Sequence, residues 1–285
     1  MVGSAPPRPF ALVRRPAASL DEGIVTFLER RPIDLELADR QWHAYVDVLQ
    51  QHGFAIVEVP PDDALPDSVF VEDTVVMFDG LAVITNPRKR KPEVAGTERT
   101  VRGLGLEVTR LEGPGTLDGG DVLKVGATVY VGISGTTTAD GVDELRRLVA
   151  TRGYRVVGVP VTQALHLKSA VTALPDGTVI GYGPVVDDPS VFESYLEVPE
   201  EAGAHVVVLD ETTVLMSDRA PQTASLLRSR GLRVEAVDIS EYEKLEGCVT
   251  CLSVRVRALV NGAAAPPRTS HRCRARAATA GRTGP

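Results

Sequence analysis

Short runs of β-branched and other apolar residues occur in pairs along the chain, and a tight turn joins the two runs of each pair. The turns lie at Asp79-Gly80, Gly126, Asp176-Gly177 and Asp210-Glu211. An Asp-Gly dipeptide between two such runs is a strong hairpin signal, because the turn needs residues that accept positive φ. The pattern predicts four β-hairpins, within residues 73–85, 121–131, 168–182 and 205–216.

Apolar residues three and four positions apart mark a second kind of segment, which is typical of amphipathic helices. These segments lie near residues 37–52, 92–104, 138–152 and 219–231. Repeated units of a hairpin and a helix favour blades arranged around a central axis.

The two ends of the chain complete the count of blades. The last apolar run, 251–256, has no hairpin partner, and we expect it to pair with Phe10–Arg14 and close the ring at about five blades. The predicted fold class is therefore α/β, a five-bladed α/β-propeller with pseudo-five-fold, strand-rich repeats. A doubly wound open sheet is the alternative, but helices rather than tight hairpins would separate its strands.

Composition narrows the functional classes. With 43% hydrophobic residues and a net charge of -7 over 285 residues, the chain has enough apolar material for a packed core. No apolar run has the length of a membrane span, and the first residues lack a signal-peptide core, so we expect a cytoplasmic protein. A pI near 5.4 argues against nucleic acid as a partner. Three cysteines are too few for a disulfide framework or a zinc cage.

Charge is unevenly distributed along the chain. Residues 258–285 contain five arginines and no acidic residue, and they show no apolar periodicity. We predict one catalytic domain over residues 1–257 and a disordered basic tail over residues 258–285.

Polar residues that suit catalysis fall at the starts of the predicted inner strands. Glu72 and Asp73 open the first hairpin, Asp118 precedes the second, His166 precedes the third, and Cys251 opens the final run. In a radial fold these starts converge near the axis, so the carboxylates, imidazole and thiol would face one pocket. A cysteine nucleophile needs such a proton-transfer group and an orienting carboxylate.

Each of these residues also has a purely structural explanation. Cys251 fits a small buried apolar residue, His166 a hydrogen-bonded core residue, and an aspartate before a strand a turn cap. Gly119-Gly120 fits a bend that requires positive φ. Metal binding is the weaker chemical alternative for one histidine and several carboxylates.

Four motifs stand in a fixed order along the chain: Pro66-Asp-Ser-Val-Phe-Val-Glu-Asp73, Leu117-Asp-Gly-Gly-Asp121, Leu165-His-Leu-Lys168 and Gly247-Cys-Val-Thr-Cys-Leu-Ser253. Together they resemble the dimethylarginine dimethylaminohydrolase (dimethylargininase) family of guanidino-modifying enzymes. The resemblance runs from about Phe10 to Arg257 and implies the five-bladed propeller called the pentein fold.

The resemblance implies hydrolysis of asymmetric dimethylarginine or monomethylarginine to citrulline and dimethylamine or methylamine. Cys251 would attack the guanidinium carbon and form a covalent thiouronium intermediate. His166 would protonate the departing amine and then activate water, while Asp118 orients the imidazole. No metal and no organic cofactor is implied.

The resemblance also implies a set of substrate-binding residues: Asp73, Glu72, Asp67, Arg90, Leu245 and Ile24. The carboxylates would hold the guanidinium, and a cation held there favours the thiolate of the nucleophile. Ile24 aligns with the apolar residue of a lid, Arg90 with a substrate-binding arginine, and Leu245 with a residue whose carbonyl receives the substrate's amino group. Among the basic residues 88–91, we interpret all but Arg90 as a solvated loop.

Two positions depart from the family pattern. Thr136 stands where the family usually has an arginine that contacts the substrate's α-carboxylate, and the loss of such a charged hydrogen bond costs about 1.5–3 kcal/mol. Cys248 stands where glycine is common. We interpret it as a harmless small residue rather than a redox partner of Cys251.

Two other hypotheses stay open. Thr136 motivates a related pentein hydrolase or deiminase that acts on another guanidino or amidino compound. A non-catalytic guanidino-binding protein is the second alternative. In each case we expect a small-molecule guanidino partner, no nucleic acid and no membrane, and a homodimer is the assembly to test.

Overall fold

The computed structural model describes residues 9–257, and in this range fifteen strands form five separate three-stranded sheets. The predicted tail, 258–285, lies outside the described residues. The strands are β1 (Phe10–Arg14), β2 (Ala55–Val59), β3 (Val75–Phe78), β4 (Leu81–Ile84), β5 (Glu107–Arg110), β6 (Val122–Val125), β7 (Thr128–Ile133), β8 (Arg155–Pro160), β9 (Val171–Ala173), β10 (Val179–Gly181), β11 (Tyr195–Glu197), β12 (Val206–Val208), β13 (Thr213–Ser217), β14 (Arg233–Val237) and β15 (Val254–Val256).

The five sheets repeat one arrangement. An antiparallel pair forms the inner and middle strands, and an outer strand runs parallel to the middle one. The sheet orders are β15-β1-β2, β3-β4-β5, β6-β7-β8, β9-β10-β11 and β12-β13-β14. The predicted five-bladed α/β-propeller is confirmed, and the first and last strands close the ring as predicted. The doubly wound open sheet is wrong, because the described strands fall into five sheets rather than one.

Five helices accompany the sheets: α1 (Leu35–Gln51), α2 (Val94–Gly103), α3 (Ala139–Val149), α4 (Pro221–Ser229) and α5 (Ser240–Glu243). The first four each connect a middle strand to its parallel outer strand, because a parallel pair needs a long crossover. The β10–β11 connection instead contains two short 3-10 turns, at residues 183–185 and 189–191. None of the helices within residues 9–257 is long and apolar enough to cross a membrane.

Local sequence explains where these elements begin and end. Asp79 and Gly80 both have positive φ, 43° and 92°, which is the backbone that a two-residue hairpin turn requires. Helix α1 begins after Asp34, whose side chain accepts a hydrogen bond from the N–H of Leu37 at 3.0 Å. It ends before Gly53, which adopts a φ of 82°.

Tight turns precede the inner strands, and these turns rather than the strands carry the polar residues of interest. Short 3-10 turns cover residues 71–74, 119–121 and 167–169, immediately before or close to β3, β6 and β9. Cys251 lies in a turn closed by its N–H, which donates to the carbonyl of Cys248 at 3.1 Å. Because β15 begins only at Val254, the prediction that Cys251 opens the final strand is wrong.

Helix α1 packs against the turn that contains Cys251 and forms hydrogen bonds with it. The hydroxyl of Tyr45, which is fully buried, donates to the carbonyl of Val249 at 2.8 Å and lies 2.6 Å from the hydroxyl of Ser253. Trp42 and Leu49, on the same face of α1, belong to the same apolar cluster as the turn. Packing and hydrogen bonding therefore fix the backbone that positions this cysteine.

Candidate active site

A cavity of about 60 Å³ lies where the turns before the inner strands converge. Its wall includes all of the predicted site residues except Glu72: Ile24, Asp67, Asp73, Arg90, Asp118, His166, Leu245 and Cys251. Thr136 also lines it. The radial fold thus brings together side chains that are far apart in the sequence.

Glu72 lies beneath this cavity and is not part of its wall. Its Oε1 is 2.5 Å from the Lys168 ammonium and 3.8 Å from Arg255, and its Oε2 accepts a hydrogen bond from the hydroxyl of Thr250 at 2.8 Å. Burial raises the pKa of Glu72, and the charges of Lys168 and Arg255 oppose that rise. This carboxylate ties together three turns around the axis.

His166 lies between two carboxylates. Its Nε2 is 3.2 Å from Asp118 Oδ2, and its Nδ1 is 3.9 Å from Asp73 Oδ1. Burial alone would lower the pKa of His166, but Asp73, Asp118 and Asp121 outweigh it and raise the pKa to about 10. The ring is therefore an imidazolium at neutral pH and can serve as a proton donor.

Asp73 already contacts a guanidinium. Its Oδ2 pairs with Arg90, and its Oδ1 accepts the N–H of Gly120 at 2.8 Å. Burial would raise the pKa of Asp73, but His166, Arg90 and that N–H lower it overall. The carboxylate is thus held as an anion, in a geometry that accepts a planar cation.

Asp118 and Thr136 differ in the hydrogen bonds that their side chains form. Asp118 Oδ1 is buried and has no hydrogen-bond partner among residues 9–257, so one oxygen of this carboxylate is available to a ligand. Thr136 donates its hydroxyl to Asp121 Oδ2 at 3.2 Å. Asp121 also accepts the N–H of Leu167 at 2.8 Å, which fixes the turn that follows His166.

Positions 119 and 120 require glycine because neighbouring groups approach their backbone too closely to leave room for a Cβ atom. A Cβ on Gly120 would lie 2.6 Å from both Asp73 Oδ1 and His166 Nδ1, and a Cβ on Gly119 would lie 2.0 Å from the carbonyl oxygen of Glu72. Neither glycine is among the residues with positive φ, so the explanation by a positive-φ bend is wrong. The two glycines let the carboxylate and imidazole meet.

Cys251 presents its sulfur to the cavity while only 8% of the residue is exposed. Its Sγ accepts the N–H of Cys248 at 3.4 Å and lies 3.3 Å from Cys248 Sγ. The neighbouring Cys248 thiol and burial raise the pKa of Cys251, and the charges of Glu72 and Asp73 add to that rise. The thiolate therefore needs a nearby cation to form.

One group of side chains has the spacing of a metal site. Ligand atoms of Asp73, Asp118 and His166 all lie within 4.8 Å of one another. The charge of Arg90 on Asp73 disfavours a second cation at this point, so proton transfer suits these residues better. That no metal is needed stays a prediction.

Comparison with known proteins places the chain in a family. No family model matches it. It is 57% identical over 251 residues to the N(G),N(G)-dimethylarginine dimethylaminohydrolase of Streptomyces coelicolor, with 87% of this chain and 97% of the relative covered. The chain belongs to the dimethylarginine dimethylaminohydrolase family. It is also 35% identical to the Pseudomonas aeruginosa dimethylarginine dimethylaminohydrolase, with 86% and 98% covered.

Solved structures agree with this family assignment. A cysteine-to-serine mutant of the Pseudomonas aeruginosa enzyme complexed with citrulline has a TM-score of 0.81 and 33% identity, and covers 87% of this chain and 99% of that chain. A histidine-to-glycine mutant of a dimethylarginine dimethylaminohydrolase, in an adduct with S-methyl-L-thiocitrulline, has a TM-score of 0.80. The N-terminal domain of the arginine dihydrolase ArgZ, at 18% identity and a TM-score of 0.79, has a similar fold.

The dimethylarginine dimethylaminohydrolase family pattern did not mark Glu246, which holds the segment that covers the cavity. Its Oε1 accepts the N–H groups of Thr26 at 2.9 Å and Leu28 at 2.8 Å, and it also accepts that of Phe27. At the start of the same segment, Asp67 accepts the N–H of Ile24 at 3.0 Å. Sequence gave no signal for Glu246, because its partners lie about 220 residues away.

Lys89 is a second residue that sequence analysis missed. It lines the cavity beside Arg90, although we interpreted it as part of a solvated loop. Arg88 and Lys89 are both exposed, and Arg88 donates to the carbonyl of Gly135 at 2.8 Å. Because Gly135 precedes Thr136, Arg88 as well as Lys89 places a positive charge on the side of the cavity where the family pattern would have an arginine.

Proposed function

We propose that the protein hydrolyses Nω-methylated arginine, either asymmetric dimethylarginine or monomethylarginine, to citrulline and dimethylamine or methylamine. The observation that carries this proposal is the pairing of Asp73 with a guanidinium in a cavity that also presents His166 and Cys251. Carboxylate, acid and nucleophile are the three groups that this reaction needs. The dimethylarginine dimethylaminohydrolases to which the chain is similar carry the same activity in their names.

Substrate binding requires Arg90 to move. A cavity of about 60 Å³ is far too small for a whole arginine derivative. The substrate's guanidinium therefore replaces that of Arg90 on Asp73, and the segment held by Glu246 opens to admit it. Once released, Arg90 is free to meet the substrate's α-carboxylate together with Lys89.

The bound cation then activates the nucleophile. The pKa of the Cys251 thiol is raised in the empty site by its neighbour, by burial and by carboxylates. The attacked guanidinium carbon must lie next to the sulfur, so the substrate brings its positive charge closer to Cys251 than the Arg90 guanidinium that it replaces, which lowers the pKa and favours the thiolate. Reactivity thus depends on the presence of the correct cation.

Catalysis follows in two halves. The Cys251 sulfur attacks the guanidinium carbon, and His166 gives its proton to the departing amine as the C–N bond breaks. The neutral imidazole then takes a proton from water, the resulting hydroxide adds to the thiouronium carbon, and the C–S bond breaks to release citrulline while the proton of the added hydroxyl passes to the departing sulfur. Asp118 orients the ring through one oxygen, and its unpaired oxygen receives a substrate N–H.

A second candidate reaction rests on Thr136. Its hydroxyl bonds to Asp121, and it offers no charge to an α-carboxylate. An amidino compound without that carboxylate would be processed by the same nucleophile and acid.

The deciding experiment measures product release and the covalent intermediate together. Formation of the ureido product is measured for asymmetric dimethylarginine and arginine, which yield citrulline, and for agmatine, which lacks the carboxylate and yields a carbamoylated diamine, and acid-quenched protein is analysed by mass for an adduct on Cys251. We expect dimethylarginine to be preferred and the adduct to map to Cys251. Equal turnover of agmatine favours the second candidate, and no turnover of any guanidino compound refutes both.

A further inference from the structure

Two thiols lie side by side at the edge of the site. Cys248 and Cys251 form a C-x-x-C pair whose sulfurs are 3.3 Å apart. The turn bond from the N–H of Cys251 to the carbonyl of Cys248 keeps the two Cα atoms within about 7 Å, the limit for a β-turn. A disulfide spans about 4.4–6.8 Å between Cα atoms and about 2.0 Å between sulfurs, so closure needs only a small movement.

The two cysteines line neighbouring cavities. Cys251 lines the catalytic cavity, whereas Cys248 lines a cavity of about 570 Å³ that shares Leu165, Glu246 and Gly247 with it. The wall of this larger cavity includes Phe27 and His205. A small oxidant or a thiol reductant can therefore reach the pair without passing through the catalytic cavity.

The pair is also chemically unequal. A hydrogen bond from the Cys251 thiol lowers the pKa of Cys248, while the same contact raises the pKa of Cys251. Cys248 is therefore the first of the two to become a thiolate, and a thiolate is the form that peroxides oxidise.

We propose that Cys248 and Cys251 form a reversible disulfide that stops catalysis, with a peroxide as oxidant and a small thiol as reductant. The Cys248 thiolate attacks one peroxide oxygen, the O–O bond breaks, and hydroxide leaves behind a sulfenic acid. The Cys251 sulfur then attacks the Cys248 sulfur, and the hydroxyl departs with the thiol proton as water. Two electrons pass from the sulfurs to the peroxide, and two equivalents of a thiol return them by exchange.

The disulfide has two consequences for the site. It removes the Cys251 electron pair that the proposed reaction needs, and this consequence rests on the proposed function. It also keeps Cys251 from oxidation to the sulfinic and sulfonic acids, which thiols do not reverse. The proposal gives Cys248 the role of the cysteine that peroxide oxidises first, in place of the harmless small residue that the sequence led us to expect, and Cys251 resolves its sulfenic acid.

The test uses the full chain with Cys273→Ser, so that Cys248 and Cys251 are the only thiols. The protein is treated with hydrogen peroxide and then with dithiothreitol, and citrulline release and the mass of the tryptic peptide 245–255 are measured at each stage. We expect that peptide to lose the mass of two hydrogens while activity falls more than about ten-fold, and both to recover with the reductant.

Cys248→Ala on the same background is the matched variant. We expect it to keep most of its activity when reduced, because the N–H that contacts Cys251 remains. After peroxide its Cys251 should gain oxygen and stay inactive in dithiothreitol. The proposal is overturned if the unmutated pair gains oxygen or stays unmodified, or if the variant recovers equally well. A disulfide in a chain that never releases citrulline would refute the proposed function and leave the thiol pairing intact.

Discussion

Glu72 and Asp73 are adjacent in sequence, yet their carboxylates have different surroundings. Asp73 lines the catalytic cavity, beside His166. Glu72 pairs with Lys168, which lines a cavity of about 370 Å³ whose wall is rich in cations. Those cations are Lys124, Lys168, Arg255 and Arg257.

The contrast shows how one carboxylate is kept for catalysis. Lys168 lines the basic cavity and pairs with Glu72, so the charge of Glu72 offsets part of the positive charge of that cavity. Asp73 pairs with Arg90 and lies beside His166. A negative site for a cationic substrate thus sits close to a strongly basic region.

The largest expected effect comes from removing the nucleophile at the acidic cavity. Cys251→Ser should lower kcat by about three orders of magnitude or more, because a serine hydroxyl is far harder to ionise than a thiol. Citrulline binding should persist, and calorimetry can measure it. Cys248→Ser, the same change at the neighbouring cysteine on the wall of the 570 Å³ cavity, is the control. Comparable loss in both variants would argue against Cys251 as the sole nucleophile.

His166→Asn should lower kcat by about 10²–10⁴, since it removes the proton donor. The free energy of unfolding should also depend on pH through the titration of His166. His166 is charged in both the folded and unfolded protein below its ordinary pKa of 6.5, and its folded pKa is about 10. Its contribution is therefore complete below pH 6.5 and is lost as the pH rises to about 10. A Tm series from pH 6 to 10 should fall less steeply in the variant, and parallel curves would contradict the charged imidazole.

Lys168→Met would remove the ammonium group that pairs with Glu72. It leaves Glu72 buried with a weaker partner, and removing one member of a buried pair costs about 3–5 kcal/mol. We expect a lower free energy of unfolding in urea, with Lys124→Met, on the same basic side, as the control. The double variant Lys168→Met with Glu72→Gln should recover much of the loss, and no recovery would mean that the pair is not the cause.

Glu246→Ala should have the smallest effect, because it frees the segment over the cavity without touching the reacting groups. Loss of three accepted N–H bonds should raise KM by about ten-fold or less, with a smaller change in kcat. Amide exchange at residues 26–28 should accelerate. Glu246→Gln, which keeps an acceptor oxygen, should recover part of the KM change, and unchanged exchange in the Ala variant would exclude this role.

Sequence predicted the fold well, and it named residues that the structure brings together at one cavity, because both depend on local signals. Asp79-Gly80 marks its hairpin through turn geometry, and His166 and Cys251 stand at equivalent points of repeated units. The direction of each side chain was less predictable. Glu72 turns away from the cavity because its partners Lys168 and Thr250 come from other blades. No local pattern encodes contacts of that kind.

Closure of the ring by the two ends of the described chain has a consequence for biosynthesis. Among the strands within residues 9–257, β15 is the last to leave the ribosome, and it pairs with β1, which is the first. Cys251 precedes β15 by only a few residues, so the nucleophile cannot be seated until the other four sheets have emerged. A nascent or prematurely terminated chain would therefore hold the acidic groups but lack the reactive sulfur, and it would be unable to consume its substrate.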